Sequence, residues 1–285
     1  MKIAVLGSSG QIGAYLTEYL RNKGHQVHEF DMVNTPDEDM TTIPNTLLEE
    51  RIADSDFVFF LAFDVGGSRY LKKYQHTFQF INNNCRLMAN AFTLIQKYNK
   101  QFVFASSQMS NMSYSPYGVL KNVGELYTKS LNGLIVKFWN VYGIEKDHEK
   151  AHVITDFISK GFETGIIDMM TDGEEERDFL YAEDCCEALE TVMEHYSEFT
   201  SEDKLHITSF KYTKIKDIAN IIAGQFNLIG KYDIKVQPST EKDSVQLDKR
   251  NQADTFIMKW WSPKTSIESG ISKIFESMRK EYESL

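Results

Sequence analysis

Over the first 140 residues, five short apolar runs alternate with segments of helical periodicity. The runs are KIAVLG, QVHEFD, DFVFFLAF, QFVFASS and LIVKFW, and most are rich in Val, Ile or Phe. Runs of this kind, separated by helices, are typical of a parallel sheet that is covered by helices on both faces. The pattern therefore predicts a doubly wound parallel sheet of the α/β class.

After Gly143 the alternation loosens, and the sequence predicts a smaller C-terminal α/β lobe. Helical periodicity indicates further helices there, near 150–162, 182–196, 212–225 and 264–283. Short apolar runs near 166–170 and 205–208 indicate strands. The second lobe is therefore interleaved in sequence with the first.

Charge excludes one class of partner. The 285 residues include 31 Lys and Arg against 41 Asp and Glu, which gives a formal charge of −10 at pH 7. This charge repels a phosphate backbone, so nucleic acid is not expected as a partner, and a phosphate-bearing ligand must be held by local groups. The sequence contains neither an apolar run long enough for a membrane span nor a signal-peptide pattern, so we expect no membrane association and a cytoplasmic protein.

The cysteines do not suggest a metal site. Cys85, Cys185 and Cys186 are odd in number and two of them are adjacent. That arrangement suits neither a disulfide framework nor a zinc ligand set. We therefore expect no metal, and reduced thiols that are mostly buried.

A glycine-rich turn follows the first apolar run. Gly7-Ser8-Ser9-Gly10-Gln11-Ile12-Gly13 has the form G-x-x-G-x-x-G and opens a helix, so its backbone can approach a pyrophosphate beside unpaired helix amides. Asp31 ends the second apolar run, where an acid accepts hydrogen bonds from ribose hydroxyls and repels a 2′-phosphate. The turn, the helix and the acid together predict a Rossmann site that prefers NAD to NADP.

Tyr117 and Lys121 form a Y-x-x-x-K pair that shares one face of a helix. The same spacing occurs at three other places, but only Tyr117 comes after a strand that ends in Ser106 and Ser107. A tyrosine of ordinary pKa is a poor base, yet a neighbouring ammonium and a positively charged nicotinamide favour the phenolate. We therefore expect Tyr117 to act as acid and base beside Lys121.

Several stretches together resemble a known family. GSSGQIG, ASS, SPYGVLK, KFWNVYG and RDFLYAEDCCEAL, with Asp31, are similar to the extended short-chain dehydrogenases/reductases that act on nucleotide sugars, such as UDP-galactose 4-epimerase-like enzymes. The resemblance runs from residue 1 to about 190, with a fainter similarity at 259–271. It implies an NAD-dependent enzyme that oxidises a nucleotide sugar at C4. It also implies a homodimer formed by the helix near 77–98 and the Tyr117 helix.

The resemblance also implies a division of the chain. Residues 1–140 would form the NAD-binding Rossmann domain, to which part of 178–209 returns. Residues 141–285 would be mainly a substrate-binding lobe.

Residue roles are implied by the same resemblance. Ser107 would hydrogen-bond the sugar 4-hydroxyl and Tyr117 would take its proton, while hydride leaves C4. Substrate contacts would also come from Gln108, Asn140 and Arg177, the last two at the nucleotide diphosphate, where an arginine fork suits phosphate oxygens. The alternative for Arg177 is an ion pair with the acidic run 174–176. The implied cofactor contacts are Gly7, Ser9, Gly10, Gln11, Ile12, Asp31, Asp39, Met40, Leu61, Ala62, Ala105, Ser106, Tyr117, Lys121 and Trp139.

The residues after Ser107 narrow the reaction. The 4,6-dehydratases of this family carry an Asp-Glu pair there, because eliminating water needs a base and an acid. The GDP-sugar 3,5-epimerases carry a cysteine at the second of those positions. This chain has Gln108 and Met109, which favours C4 epimerisation. A 4-dehydrogenase or 4-ketoreductase stays open, as does a redox-inert NAD-binding sensor or scaffold.

Two features depart from that interpretation. The loop 62–67, AFDVGG, resembles the A-x-x-(V/M)-G-G loop of the GDP-sugar enzymes, which conflicts with Met109. The interval from Ser107 to Tyr117 is also shorter than in the epimerases. The shorter interval indicates either a pocket open to a larger or unusual sugar or a loss of activity.

Overall fold

The computed structural model describes residues 1–145, 147, 150–243 and 251–284. The strands are β1 (Lys2–Leu6), β2 (Gln26–Phe30), β3 (Phe57–Phe60), β4 (Gln101–Ser107), β5 (Leu134–Phe138), β6 (Asn140–Tyr142), β7 (Ile166–Asp168), β8 (Glu176–Tyr181), β9 (Leu205–Ile207), β10 (Tyr212–Lys214) and β11 (Lys235–Gln237). The α-helices are α1 (Gln11–Asn22), α2 (Thr46–Ala53), α3 (Ser68–Tyr74), α4 (Phe78–Lys97), α5 (Pro116–Ser130), α6 (Val153–Thr164), α7 (Ala182–Glu194), α8 (Ile215–Ile229) and α9 (Ile267–Ser284).

The central sheet has the order β2-β1-β3-β4-β5-β9, with each neighbouring pair parallel. The predicted doubly wound parallel sheet is therefore confirmed. Successive side chains of β3 point to opposite faces: Phe57 and Phe59 pack in a first core with α1 and α7, and Val58 and Phe60 in a second core with α2, α4 and α5. A continuous apolar run such as FVFF results from burial on both faces.

The chain leaves the central sheet for β6, β7 and β8 and then returns to it through α7 and β9. Cys185 and Leu189 of α7 lie in the first core together with Leu16 and Leu20 of α1. β9 then pairs with β5 at the edge of the sheet. The division of the chain into a cofactor-binding and a substrate-binding part stays a prediction.

A third core lies in the C-terminal part. It is formed by α6, α8 and α9 with two small sheets, β10-β8-β6 and β11-β7. The helices and strands expected here are all found, with ends that differ by a few residues. The sequence did not reveal β6 or β8 as separate strands, because β6 follows β5 after a single residue and both lie in stretches interpreted only as motifs. It also missed β10 and β11, and residues 212–214, predicted as the start of a helix, form β10 by pairing with β8.

Helices α4 and α5 each have an exposed apolar side. Phe80, Leu87 and Phe92 of α4 are buried in the second core, whereas Phe78 of α4 and Leu126 of α5 are exposed by 79% and 62%. The homodimer expected through these helices stays a prediction.

Cys185 and Cys186 are buried free thiols and Cys85 is exposed on α4, in agreement with the expectation of mostly buried thiols. Across the part of the chain that the structure describes, no group of His, Cys, Asp and Glu side chains is placed to hold a metal ion. In the same residues no helix is both long and apolar enough to cross a membrane.

Candidate active site

The predicted site residues come together at the carboxyl edge of the central sheet. Gly7 follows β1, Asp31 follows β2, Leu61 follows β3, and Ser107 ends β4. Because these strands are parallel neighbours, their carboxyl ends share one edge, which is where ligands bind in open α/β sheets. Ser107 pairs with Phe138, so the end of β5 lies beside it.

Two glycines of the first turn are required by its geometry. Gly7 has φ +89°, and a Cβ there would lie 2.6 Å from the backbone nitrogen of Ala62. A Cβ at Gly13 would lie 1.9 Å from the carbonyl oxygen of Gly7. Only glycine permits the left-handed backbone at the first position and the close approach of helix to turn at the second.

The start of α1 fits a pyrophosphate. Gly10 is the N-cap and provides no capping side chain, so the first amides of the helix have no side-chain partner there. The side-chain amide nitrogen of Gln11, the first residue of the helix, is buried and makes no hydrogen bond within the described residues. Ile12 packs against the first core. These features are consistent with a bound dinucleotide phosphate.

Two acids lie beside the turn. The Asp31 carboxylate accepts hydrogen bonds from the amides of Ser9 and Val33, each at 3.0 Å. Glu38 is buried, and its carboxylate accepts a hydrogen bond from the Asp31 amide at 2.8 Å. Asn34 joins the cluster, because its amide donates to Glu38 and its carbonyl accepts from the Ser9 hydroxyl. The sequence offered no motif that would identify Glu38.

The other residues expected near the adenosine part differ in their surroundings. Asp39 accepts hydrogen bonds from the amide and hydroxyl of Thr41. Met40 is buried in the second core, and its carbonyl accepts from Asn90 at 3.0 Å. Ala62 approaches Gly7 closely. Their roles toward the cofactor stay predictions.

Ser107 and Tyr117 are brought together. Ser107 caps the 3-10 turn Gln108–Asn111, and its hydroxyl accepts a hydrogen bond from the Met109 amide at 3.1 Å. Burial raises the pKa of Tyr117 to about 12, while a hydrogen-bonding interaction with Ser107 opposes that rise. Burial therefore favours the protonated phenol in the resting site, and the phenolate expected from the sequence depends on the charges of Lys121 and of the nicotinamide.

Lys121 is only 3% exposed. Its ammonium donates to the carbonyl oxygen of Ala105 at 2.6 Å and lies 5.9 Å from the centre of the Tyr117 ring. Burial lowers the pKa of Lys121 to about 7, and the charge of Glu125 opposes that change. The lysine therefore titrates near neutral pH.

A polar layer lies under the end of β4. The Ser106 hydroxyl donates to Glu125 at 2.5 Å, and the ammonium of Lys137 lies 3.1 Å from the same carboxylate oxygen. Lys137 also donates to the Ser110 hydroxyl at 2.9 Å. Glu125 thus connects α5, β4 and β5 one turn beyond Lys121.

The short interval after Ser107 is closed by the C-terminal part. The Asn251 amide donates to the backbone carbonyl of Gln108 at 2.8 Å and to its side-chain oxygen at 2.5 Å. No local pattern in the sequence indicates a role for Asn251. Gln108 is thus held by protein on one side, and its contact with substrate stays a prediction.

Asn140 and Arg177 share one face of the small sheet. Asn140 pairs with Phe179, and Arg177 stands two residues before Phe179 on the same strand. The Asn140 amide donates to the Asp178 carbonyl at 3.2 Å. Arg177 donates to the carbonyl of Glu176 and forms an ion pair with Asp243. The anionic partner of Arg177 is thus Asp243, which the sequence interpretation did not include.

Trp139 lies against other aromatic rings. Its ring centre is 6.0 Å from that of Tyr212 and 6.1 Å from that of His206. Its indole nitrogen is buried and has no hydrogen-bond partner in the described residues. A cavity of about 470 Å³ opens beside Tyr212, between Asp178 and Thr255. The contact of Trp139 with the cofactor stays a prediction.

Comparison with known proteins agrees with this geometry. A model of the NAD dependent epimerase/dehydratase family matches residues 3–207. The chain belongs to this family. Membership gives the chain NAD as its cofactor and places it among epimerase/dehydratase enzymes.

Relatives within the family carry different names. A GDP-L-fucose synthase of Sinorhizobium fredii is 32% identical over 145 residues, which is 48% of this chain and 44% of the synthase. An uncharacterised UDP-glucose epimerase of Bacillus subtilis is 27% identical over 233 residues, which is 68% of this chain and 72% of that protein. The chain spans about half the length of two of the curated relatives it matches. Family membership therefore leaves the reaction open.

The fold agrees with a solved structure. The UDP-glucose 4-epimerase of Thermotoga maritima superposes with a TM-score of 0.80 at 20% identity, over 99% of both chains. At this level of identity the similarity establishes the fold alone.

The acids at the turn predict cofactor preference. We expect NAD to bind about tenfold or more tightly than NADP, and Asp31→Ala to narrow this ratio, because a carboxylate repels the 2′-phosphate. Fluorescence titrations with both dinucleotides would measure the ratio. Asp37→Ala removes the same charge from an exposed position in the following 3-10 turn, Pro36–Glu38, and should leave the ratio unchanged. Equal affinities in the intact protein would contradict the assignment of Asp31.

Burial of Lys121 predicts a pH-dependent stability difference. The pKa of Lys121 is about 7 in the folded state and 10.5 in the unfolded chain. Below pH 7 the buried ammonium therefore destabilises the folded state relative to the unfolded state. Lys121→Met should therefore raise the melting temperature most below pH 7, and the gain should shrink as the pH rises toward 10.5. Thermal unfolding across this range tests it. The control is Lys129→Met, at a more exposed lysine of the same helix. A gain that is absent or independent of pH would contradict the burial argument.

Proposed function

We propose that this chain is a nucleotide-sugar C4 epimerase, which oxidises the sugar at C4 and reduces the ketone again on the other face. The observation that carries this proposal is the set of groups around Ser107. Tyr117 is the proton-transfer group there, and the two positions after Ser107 supply no other. The Gln108 side chain accepts a hydrogen bond from Asn251, and Met109 is buried in the second core.

This set of groups fits one kind of chemistry. Elimination of water and inversion at C3 or C5 each need a further acid or base next to the ketone. Oxidation and reduction at C4 need one proton-transfer group and a hydride acceptor. Among the described residues, the proton-transfer group is supplied by Tyr117 together with Ser107 and Lys121.

Each residue has a distinct part in the reaction. Ser107 would bind the 4-hydroxyl oxygen, and Tyr117 would take its proton during oxidation and return it during reduction. NAD, when bound, supplies the acceptor and donor of the C4 hydride. Because burial keeps the resting phenol protonated, Tyr117 is ready to donate a proton and must lose one before oxidation begins. Lys121 is the nearby cation that favours that loss.

The direct test is conversion of substrate. Incubation with UDP-, GDP- and dTDP-hexoses should give a mixture of the two C4 epimers in the NMR spectrum, with no net NADH. In D₂O the hydrogen at C4 should be retained, because it leaves and returns as hydride. Accumulation of NADH would instead indicate a dehydrogenase, and NADH consumption with a 4-keto sugar a reductase. Binding of NAD without any conversion would favour a sensor or scaffold.

Replacing Tyr117 tests the acid/base role. Tyr117→Phe keeps the ring but removes the oxygen, so turnover should fall by about 10² or more while NAD binding persists. Stopped assays of epimer formation and NAD titration of the same sample provide the two measurements. Tyr127→Phe, at an exposed position of the same helix, is the control. Near-full activity of Tyr117→Phe would mean that another group moves the proton.

Replacing Arg177 tests the nucleotide diphosphate site. A charge-assisted arginine bond to phosphate is strong, so Arg177→Ala should weaken UDP, GDP or dTDP binding by about tenfold to a hundredfold. Asp243→Asn, which removes the negative charge of its partner, should leave binding equal or tighter. Calorimetry with NAD present measures both, and NAD affinity should be the same in each variant. If none of these nucleotides binds the intact protein at millimolar concentration, the nucleotide-sugar proposal is wrong.

A further inference from the structure

An aromatic ring lies directly over the buried lysine. The ammonium of Lys121 is 3.8 Å from the centre of the Phe63 ring. The same ring meets the Tyr117 ring edge to face, with centres 5.7 Å apart and an angle of 81°. Phe63 therefore contacts both groups of the Y-x-x-x-K pair, although it lies on another element, the loop after β3.

That loop is fixed by buried side chains of α4. Asn84 is fully buried; its oxygen accepts from the Asp64 amide at 2.8 Å and its amide donates to the Asp64 carbonyl at 3.1 Å. The Asp64 carboxylate accepts from Tyr70 at 2.5 Å and from Asn83 at 3.2 Å. The backbone of Asp64, next to Phe63, is thus held at both its amide and its carbonyl, which fixes the chain on one side of the ring.

We propose that Phe63 is a positioning residue for the reaction, whose ring face holds the Lys121 ammonium against the Ala105 carbonyl and whose edge-to-face contact orients Tyr117. The predicted effect of Phe63 on turnover rests on the proposed function, whereas its effect on Lys121 does not. A ring face attracts a cation most strongly where water is excluded, and Lys121 is in such a place. The ring therefore stabilises the charged form of a lysine that burial alone would discharge.

Of the rings near Lys121, Phe63 lies closest to the ammonium, since the centre of the Phe104 ring on β4 is 5.2 Å away. On α5, Tyr117 precedes Lys121 and Glu125 follows it by one turn. The Glu125 carboxylate is shared with Ser106 and Lys137. The Ala105 carbonyl of β4 accepts a hydrogen bond from Lys121. On the loop after β3, the Asp64 carboxylate accepts hydrogen bonds from Tyr70 and Asn83.

The experiment measures the lysine itself. Lysine side chains labelled with ¹³C are titrated by NMR in the intact protein, and the Lys121 resonance is assigned with Lys121→Met. Phe63→Leu keeps an apolar cover but removes the ring face, so the pKa of Lys121 should fall by about one unit. Phe63→Tyr retains the face and should retain the pKa. Phe59→Leu removes a ring from the other face of the sheet and should also leave it unchanged.

Turnover supplies the second measurement. With a substrate found as above, Phe63→Leu should lower kcat and shift its pH profile, with little change in KM, while Phe63→Tyr restores both. An unchanged or raised Lys121 pKa in Phe63→Leu would overturn the inference, because the ring would then act only as a cover against water. A lowered pKa in a protein that converts no nucleotide sugar would support the ring's role and reject the proposed function.

Discussion

Apolar cores on both faces of the central sheet confine its polar chemistry to the carboxyl edge, and the site depends on this constraint. The side chains of β1, β3 and β4 are almost all buried before the strands end. Gly7, Asp31 and Ser107 therefore stand where the chain first leaves the core. Lys121 reaches the same edge from α5, because that helix lies along β4 and its ammonium bonds to the Ala105 carbonyl. The edge thus gathers residues that are distant in sequence.

Burial then acts on the two central groups in the same sense, toward neutrality. It raises the pKa of Tyr117 to about 12 and lowers that of Lys121 to about 7. Glu125 and Lys137, one layer below, compensate each other. The Tyr117–Lys121 pair consequently carries less than a full positive charge at neutral pH, while the acids Asp31 and Glu38 lie at the same edge. The phosphates of a ligand there depend on local donors such as the first amides of α1.

Sequence reasoning succeeded where a residue type is required by backbone geometry or by local spacing. Gly7 needs a left-handed conformation, Gly13 a close approach, and the Tyr117 pair a helical repeat, all of which can be deduced from neighbouring residues. It failed where contacts join distant segments. Phe63, which lies over Lys121, and Asn251, which holds Gln108, are positioned by tertiary packing and carry no local pattern. The rise of the Tyr117 pKa through burial was missed for the same reason, since burial cannot be read from spacing.

The neutral resting pair has a consequence for how binding and reactivity are connected. A protonated phenol and a partly discharged lysine cannot begin an oxidation, so ionisation must follow from what binds at the edge. Phe63 is half-buried, with one face on the Lys121 ammonium, which is itself already excluded from water. A ligand that covers the rest of the ring removes further water from the site, and desolvation by itself favours the neutral phenol and the neutral amine. In the proposed reaction, the phenolate at Tyr117 must therefore be favoured by the charges of Lys121 and of a positively charged nicotinamide, and not by desolvation.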